Sequence, residues 1–307
     1  MKELLLDATA GDPITGIKWA RKTLRAIEKG LQRCGFKVSF VTIRRLLREI
    51  GYAIRVNRKR LTKKQDPERD RQMRYIARVR RRFLNAGKPV ISIDTKKREL
   101  VGNFKKAGGT WRQAPQEVLE YDYPSDAIGV AIPFGIYDVA RKEGVVVVGT
   151  SHQTPEFAVA SVRRWWLRIG RRHYPDQNEL LLECDGGNPN GIRCWRWKYG
   201  LQQMADEFGL TIIVTHFPRG ASKWNPIEHR LFSQISSNWA GEPLTSYEKV
   251  LKYIRTTKTD TGLCCKAYWD TKFYKTKLQL TREQKEWIKL IPQRVLPKFN
   301  YTIKPHG

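Results

Sequence analysis

The chain has 307 residues, enough for two domains or one large one, and 40% of them are apolar, enough for a packed core. Its 58 Lys and Arg outnumber 30 Asp and Glu, so it carries a net charge of +28 and an acidic polymer is the expected partner. No apolar run approaches the roughly 18 residues of a membrane-spanning helix, and MKELLLDATAG lacks the apolar core of a signal peptide.

The charge is uneven. Residues 1–90 hold 25 Lys and Arg against 8 Asp and Glu, a net of +17, and the rest of the chain carries +11. The front therefore reads as a DNA-binding module and the remainder as a globular domain with a basic groove. The five cysteines, Cys34, Cys184, Cys194, Cys264 and Cys265, show no CxxC pairing. That argues against a zinc ribbon or a disulfide framework and fits a reducing cytoplasm.

In chain order, residues 1–15 show no periodic pattern. Leu24, Ile27 and Leu31 then recur at helical spacing up to Gly35. Ser39 can cap a second helix with Phe40, Ile43, Leu46, Leu47 and Ile50 on one face, and Gly51 ends it. Arg44, Arg45 and Arg48 lie away from that stripe, and RVNRKRLTKK, with Arg58, Lys59 and Arg60, prolongs the positive run. Two short helices with a basic exposed face read as a helix-turn-helix over residues 1–62, with a solvated basic helix pair as the plainer alternative. Residues 63–87 hold a third helix whose stripe is Met73, Ile76, Val79 and Phe83. Seven arginines between Arg69 and Arg82 coat the rest. It reads equally as a linker lying on DNA or as a soluble connector.

The pattern changes at Lys88. PVISID, AIPFGIYDVA and GVVVVG are strand runs, TPEFAVASVRRWWLRIG is helical, ELLLECD is a fourth strand, IRCWRWKYGLQQMADEFG a helix, and TIIVTHF a fifth strand. The helix that follows begins in KWNPIEHRLFS, where Asn225 suits a cap and Pro226 the first helical position. Ile227, Leu231 and Ile235 form its buried stripe. Three strands, then helix, strand, helix, strand and helix, is the order of an RNase H-like α/β domain over 88–242, with a mixed five-stranded sheet flanked by helices. Residues 243–307 read as an α/β extension packed on it, without legible chemistry.

Three carboxylates stand on three of these elements. Asp94 ends the first strand, Asp185 ends the fourth just before Gly186 and Gly187, and Glu228 lies in the first turn of the last helix. In open α/β sheets ligands bind beyond the carboxyl ends of strands. Three acids gathered there repel unless cations neutralise them, and hard oxygen ligands suit Mg²⁺ or Mn²⁺, as in a two-metal phosphoryl-transfer site. Taken singly, each has a structural reading: a strand-end Asp is a turn residue, and a first-turn Glu is a capping or dipole partner. Asp122, Asp126, Asp138 and Asp206 compete, Asp138 most strongly because it lies on the second strand. His216 and His229 flank the Glu228 segment without a third ligand at zinc spacing and read as packing or substrate contacts. Lys223 and Trp224 could touch phosphate or stack on a base, and Trp224 could equally be buried.

VISIDTKKRELVGNFKKAGGTWR, AIPFGIYDVA, TPEFAVASVRRWW, DGGNPNGIRCWRWK and HFPRGASKWNPIEHRLFSQISSNWAG together resemble the Rhodopirellula-type DDE transposases of bacterial insertion sequences, from about Gly11 to the closing FNYTIKP. NPIE also resembles the wider mariner-like group. The resemblance implies an RNase H-like catalytic domain and divalent metal. Asp94, Asp185 and Glu228 become the triad, Asp94 bridging two ions and each of the others holding one. It further implies double-stranded DNA, both transposon ends and target, as partner, a homodimer or larger synaptic complex, and a cytoplasmic, nucleoid-associated bacterial protein. The family pattern has more sequence ahead of the region matching residue 11, so an upstream helical segment is expected to be missing. It also has a small or hydroxyl residue at the position of Glu183, and DGGGSNG where this chain has DGGNPNG. Glu183 is expected on the same side as Asp185, two positions along a strand, where an extra carboxylate would perturb metal binding. Two further readings stay open: an inactive, truncated transposase-derived DNA binder, and an RNase H-like nuclease that cuts without strand transfer.

Overall fold

The computed structural model describes residues 23–52, 67–187, 189–218, 220–221 and 224–307, and the backbone alone of 9–11 and 18–20. It divides into two compact units, residues 1–62 and 63–307.

In the first unit β1 (Thr9–Gly11) pairs antiparallel with β2 (Lys18–Ala20). This hairpin occupies a region whose sequence shows no pattern, because three-residue strands are too short to display a period of two. Helix α1 (Leu24–Arg33) is capped by the Thr23 hydroxyl, and α2 (Phe40–Glu49) by that of Ser39, which accepts from the Thr42 amide at 3.3 Å. Ile27, Leu31 and Ile43 are buried together between them. This leaves the α2 arginines exposed.

The second unit opens with α3 (Arg69–Asn85), followed by β3 (Val90–Thr95), β4 (Glu99–Val101), β5 (Gly129–Asp138), β6 (Glu143–Gly149), α4 (Pro155–Trp165), β7 (Glu179–Cys184), α5 (Trp195–Phe208) and β8 (Thr211–His216). A π-turn, Glu228–Phe232, leads into α6 (Ser233–Asn238), and α7 (Tyr247–Thr256), β9 (Cys264–Asp270), α8 (Arg282–Glu286), β10 (Leu290–Pro292) and β11 (Asn300–Ile303) complete it. The central strands run β6-β5-β3-β7-β8. β5 is antiparallel to both neighbours, and β3, β7 and β8 are mutually parallel. This is the RNase H-like arrangement.

Two features differ from the sequence reading. The sheet has nine strands among the described residues, not five. β9 runs parallel beside β6, and β11 then β10 continue it beyond β8, so residues 243–307 extend the sheet instead of only packing on it. Nor is α3 a connector: Tyr75, Val79 and Phe83 pack on Val90, Leu181 and Ile213, covering one sheet face. The opposite face, with Ile91, Ile93, Leu180, Leu182, Ile212 and Val214, is covered by Phe157, Val162 and Trp165 of α4 and Trp197 and Leu201 of α5. Ile227, Leu231 and Ile235 are fully buried against Val146 and Val148, so the apolar stripe of the NPIE helix anchors Glu228 as its spacing suggests. Among the described residues no helix is long and apolar enough to cross a membrane.

Candidate active site

β3 and β7 are adjacent and parallel, with Ile93 opposite Cys184. Asp94 and Asp185 therefore emerge side by side at their carboxyl ends. Asp94 is half-buried, and its Oδ1 accepts from the Thr95 amide at 2.7 Å. The Asp185 Oδ1 likewise accepts from Gly186 N at 2.7 Å. Glu228 arrives from the π-turn, a wide helical turn that recurs at functional sites, close enough to share a hydrogen bond with Asp94.

Burial, the neighbouring Asp185 charge and Glu228 together push the Asp94 carboxyl up to about 8, against the opposing pull of the Thr95 amide. Its strongest charged neighbours are thus two more carboxylates. Such a donor set of hard oxygens, with its own charge uncompensated, fits Mg²⁺ or Mn²⁺. Among the described residues no three His, Cys, Asp or Glu side chains are gathered tightly enough to chelate an ion as they stand.

Asn225 has a role the sequence did not reveal. Its side chain is 1% exposed, and its Oδ1 accepts from the Ser92 hydroxyl at 2.7 Å. That fixes the amide so that Nδ2 points at Asp94 Oδ2, 3.5 Å away. The residue read as a helix cap is therefore a brace between β3 and the Glu228 helix. Ser92 precedes Asp94 by two on the same strand and shares its face, which is the only local signal of the link.

Glu183 does not join the cluster. Arg80 of α3 meets it with two hydrogen bonds of 2.7 Å, and the Glu183 side chain is wholly buried. Burial raises its carboxyl while the guanidinium opposes the rise. The extra carboxylate is neutralised by a helix 103 positions away in sequence. Asp138 pairs with Ile91 at the opposite end of β3 and accepts from the Tyr174 hydroxyl and the amides of Ala140 and Arg141. Asp206, on α5, accepts from the His306 amide. Both are structural.

His216 is buried, its two ring nitrogens 2.9 and 3.0 Å from the carbonyl oxygens of Phe299 and Asn190, so it packs the loop after β7. His229 is exposed on the π-turn. Trp224 is 47% exposed, not buried, with the Arg69 guanidinium 4.8 Å from its ring centre. Arg44, Arg45 and Arg48 are exposed on α2, Arg45 lying 3.6 Å from Glu49. Arg58, Lys59, Arg60 and Lys223 lie outside the described residues. Gly186 and Gly187 do not need positive φ. The tight approach is at Gly191, where a Cβ would sit 3.0 Å from the Gly187 carbonyl oxygen. Beside this loop opens a cleft of about 1190 Å³ that the sequence did not signal, lined among others by Arg193, Trp195, Lys198 and Tyr301.

Residues 1–305 match the family described as Rhodopirellula transposase DDE domain. The chain belongs to that family. No curated protein matches it in sequence. Among solved structures it is similar to a Mos1 transposase paired-end complex with left transposon end, at 14% identity and a TM-score of 0.43 over 76% of this chain and 65% of that one. It is also similar to a Mos1 strand transfer complex, at 14% identity and 0.45 over 79% and 68%. A mariner Mos1 paired-end complex with Mg shows 15% identity and 0.43 over 76% and 65%. The chain thus spans slightly less than two thirds of the first of these proteins.

Proposed function

We propose that this member of the family is an active DDE transposase of a bacterial insertion sequence, cleaving DNA at the element's ends and transferring the strand into target DNA. The observation that carries the reading is Asp94, held between Asp185 and Glu228 at the carboxyl ends of two parallel strands. In the proposed reaction water displaces the 3′-oxygen of a terminal phosphodiester. The freed 3′-hydroxyl then attacks a target phosphodiester and displaces its 3′-oxygen in turn, so one bond forms for each that breaks.

Two divalent ions, Mg²⁺ or Mn²⁺, held by Asp94, Asp185 and Glu228 would supply polarisation of the phosphoryl oxygens and activation of the attacking oxygen. The chain's own part is positioning and charge. Thr95 N–H and the Asn225 amide orient Asp94. The Arg69–Trp224 pair offers a cation and an exposed ring at the rim for phosphate or base. Residues 1–62, with Arg44, Arg45, Arg48, Arg58, Lys59 and Arg60, are proposed to read the transposon end, Lys223 to touch phosphate, and a homodimer or larger complex to pair two ends.

The test is Mn²⁺-dependent nicking of the element's own terminal DNA by wild type and Glu228→Gln. Nicking that disappears in the variant supports the reading. DNA binding without nicking by either protein overturns it in favour of a non-catalytic DNA binder.

A further inference from the structure

Helix α3 uses its arginines unevenly. Arg80 is committed to Glu183, Arg69 to Trp224 and the Gly220 carbonyl, and Arg74 to Asp70 one turn away. Arg71, Arg78, Arg81 and Arg82 are exposed, and among the described residues they form no ion pair. Arg71, Arg74, Arg78 and Arg81 follow one another at steps of three and four residues, so they share one helix face. They line a cleft of about 710 Å³ between α3 and Val295. A second cleft of about 480 Å³, sharing Tyr75, Arg78 and Val295 with the first, adds Arg82 and Arg294. The result is one continuous groove.

A solvated helix face does not need this composition. Like charges three and four residues apart destabilise a helix, and all seven cations from Arg69 to Arg82 are arginine, none lysine. Arginine presents a planar fork of donors matched to phosphate. Two arginines of the groove also lie over rings of their own helix: Arg78 is 5.5 Å from the Tyr75 ring centre, and Arg82 is 5.6 Å from that of Phe83. From Arg71 to Arg81 the helix rises about 15 Å, the axial length of roughly four base pairs. The groove offers little to an unstacked base, since its one aromatic ring, Tyr75, is only 8% exposed.

We propose that this arginine strip binds the sugar–phosphate backbone of duplex DNA, as a surface separate from the carboxylate rim. The proposal rests on the reading that the chain acts on DNA. Arg69, at the front of α3, touches Gly220 and Trp224, but two residues of helix turn it about 200° from Arg71, so the strip occupies a different flank of α3 from that contact. It runs along α3, whose far end packs on Val90 at the start of β3. Duplex lying along it would be held through its backbone alone, a contact blind to sequence.

The test is the salt dependence of binding of the full chain to a duplex of arbitrary sequence, in EDTA so that cleavage plays no part. Wild type is compared with Arg71→Gln/Arg78→Gln/Arg81→Gln and with the corresponding triple Lys variant. Each lost phosphate contact lowers the slope of log K against log salt by about 0.9, so the Gln variant is expected to lose about 2 to 3 from the slope and the Lys variant to keep most of it. The residues are exposed, so the melting temperature monitors folding independently. An unchanged slope in a folded Gln variant overturns the proposal while leaving the cleavage reading intact. Loss of binding to poly-glutamate but not to duplex in that variant overturns it as well. Failure of wild type to bind duplex at all overturns both.

Discussion

Asp94 and Asp138 sit at opposite ends of the same strand pair, and burial raises both carboxyls. Their surroundings then diverge. Asp138 receives the Tyr174 hydroxyl and two amides, which pull its carboxyl back down. Asp94 meets Asp185 and Glu228, which push it further up. A buried acid with its hydrogen bonds completed holds a fold together. A buried acid set against its own kind is a cost to the fold, and its environment is completed only by something outside the chain. Glu183 shows the third solution, an internal cation supplied by Arg80.

The widest separation is expected when the two ends are mutated in parallel. Asp94→Asn should lower end cleavage by about 10³-fold or more, equivalent to at least about 4 kcal/mol of transition-state stabilisation, while raising the melting temperature of the metal-free protein. Asp138→Ala should do the reverse, retaining cleavage per folded molecule and losing about 2 kcal/mol of stability. Nicking assays and thermal melts on the pair would erase the contrast if both variants lost stability alike.

Next in size is Arg80→Met. It leaves the Glu183 charge buried and unpaired, a loss of about 3 kcal/mol. The double variant Arg80→Met/Glu183→Met should recover most of that in denaturant titrations. Asn225→Ala removes the brace on Asp94 and should raise the Mn²⁺ concentration for half-maximal binding by about 10- to 100-fold, read by calorimetry without DNA.

The same contrast extends to pH dependence. In the folded, metal-free chain Asp94 keeps its proton up to about pH 8, whereas an unfolded Asp releases it near 3.9. Between those values the folded state binds more protons, so this group's stabilisation is full at low pH and is lost as pH rises through about 8. Melting temperature should therefore fall more steeply in wild type than in Asp94→Asn between pH 5 and pH 8.5, and Mn²⁺ should close the gap. Parallel pH curves would contradict the assigned surroundings of Asp94.

The sequence carried the five central strands and their helices because buried strands read as apolar runs and amphipathic helices keep their period, as in PVISID and GVVVVG. It carried the positions of Asp94, Asp185 and Glu228 because each ends or begins such an element. It did not carry the brace or the ion pair, whose partners lie 131 and 103 positions apart. Strand β10 was too short to show a pattern, and β9 pairs with β6, more than a hundred residues earlier. The π-turn at Glu228 was hidden because the i, i+4 spacing of Ile227, Leu231 and Ile235 is equally that of an α-helix.

The long reach of β11 also sets a clock. Gln72 of α3 is buried, and it exchanges side-chain hydrogen bonds of 2.7 and 2.8 Å with Asn300, which stands 228 positions later. At about 5–20 residues per second a ribosome needs roughly 10 to 50 s to make the partner after making the helix. Until then Gln72 has only the His216 carbonyl, 2.9 Å from its Nε2, and β8 has an open edge where β11 will lie. The arginine helix and the β8 edge of the sheet therefore reach their final setting together, only once Asn300 and its strand have been made.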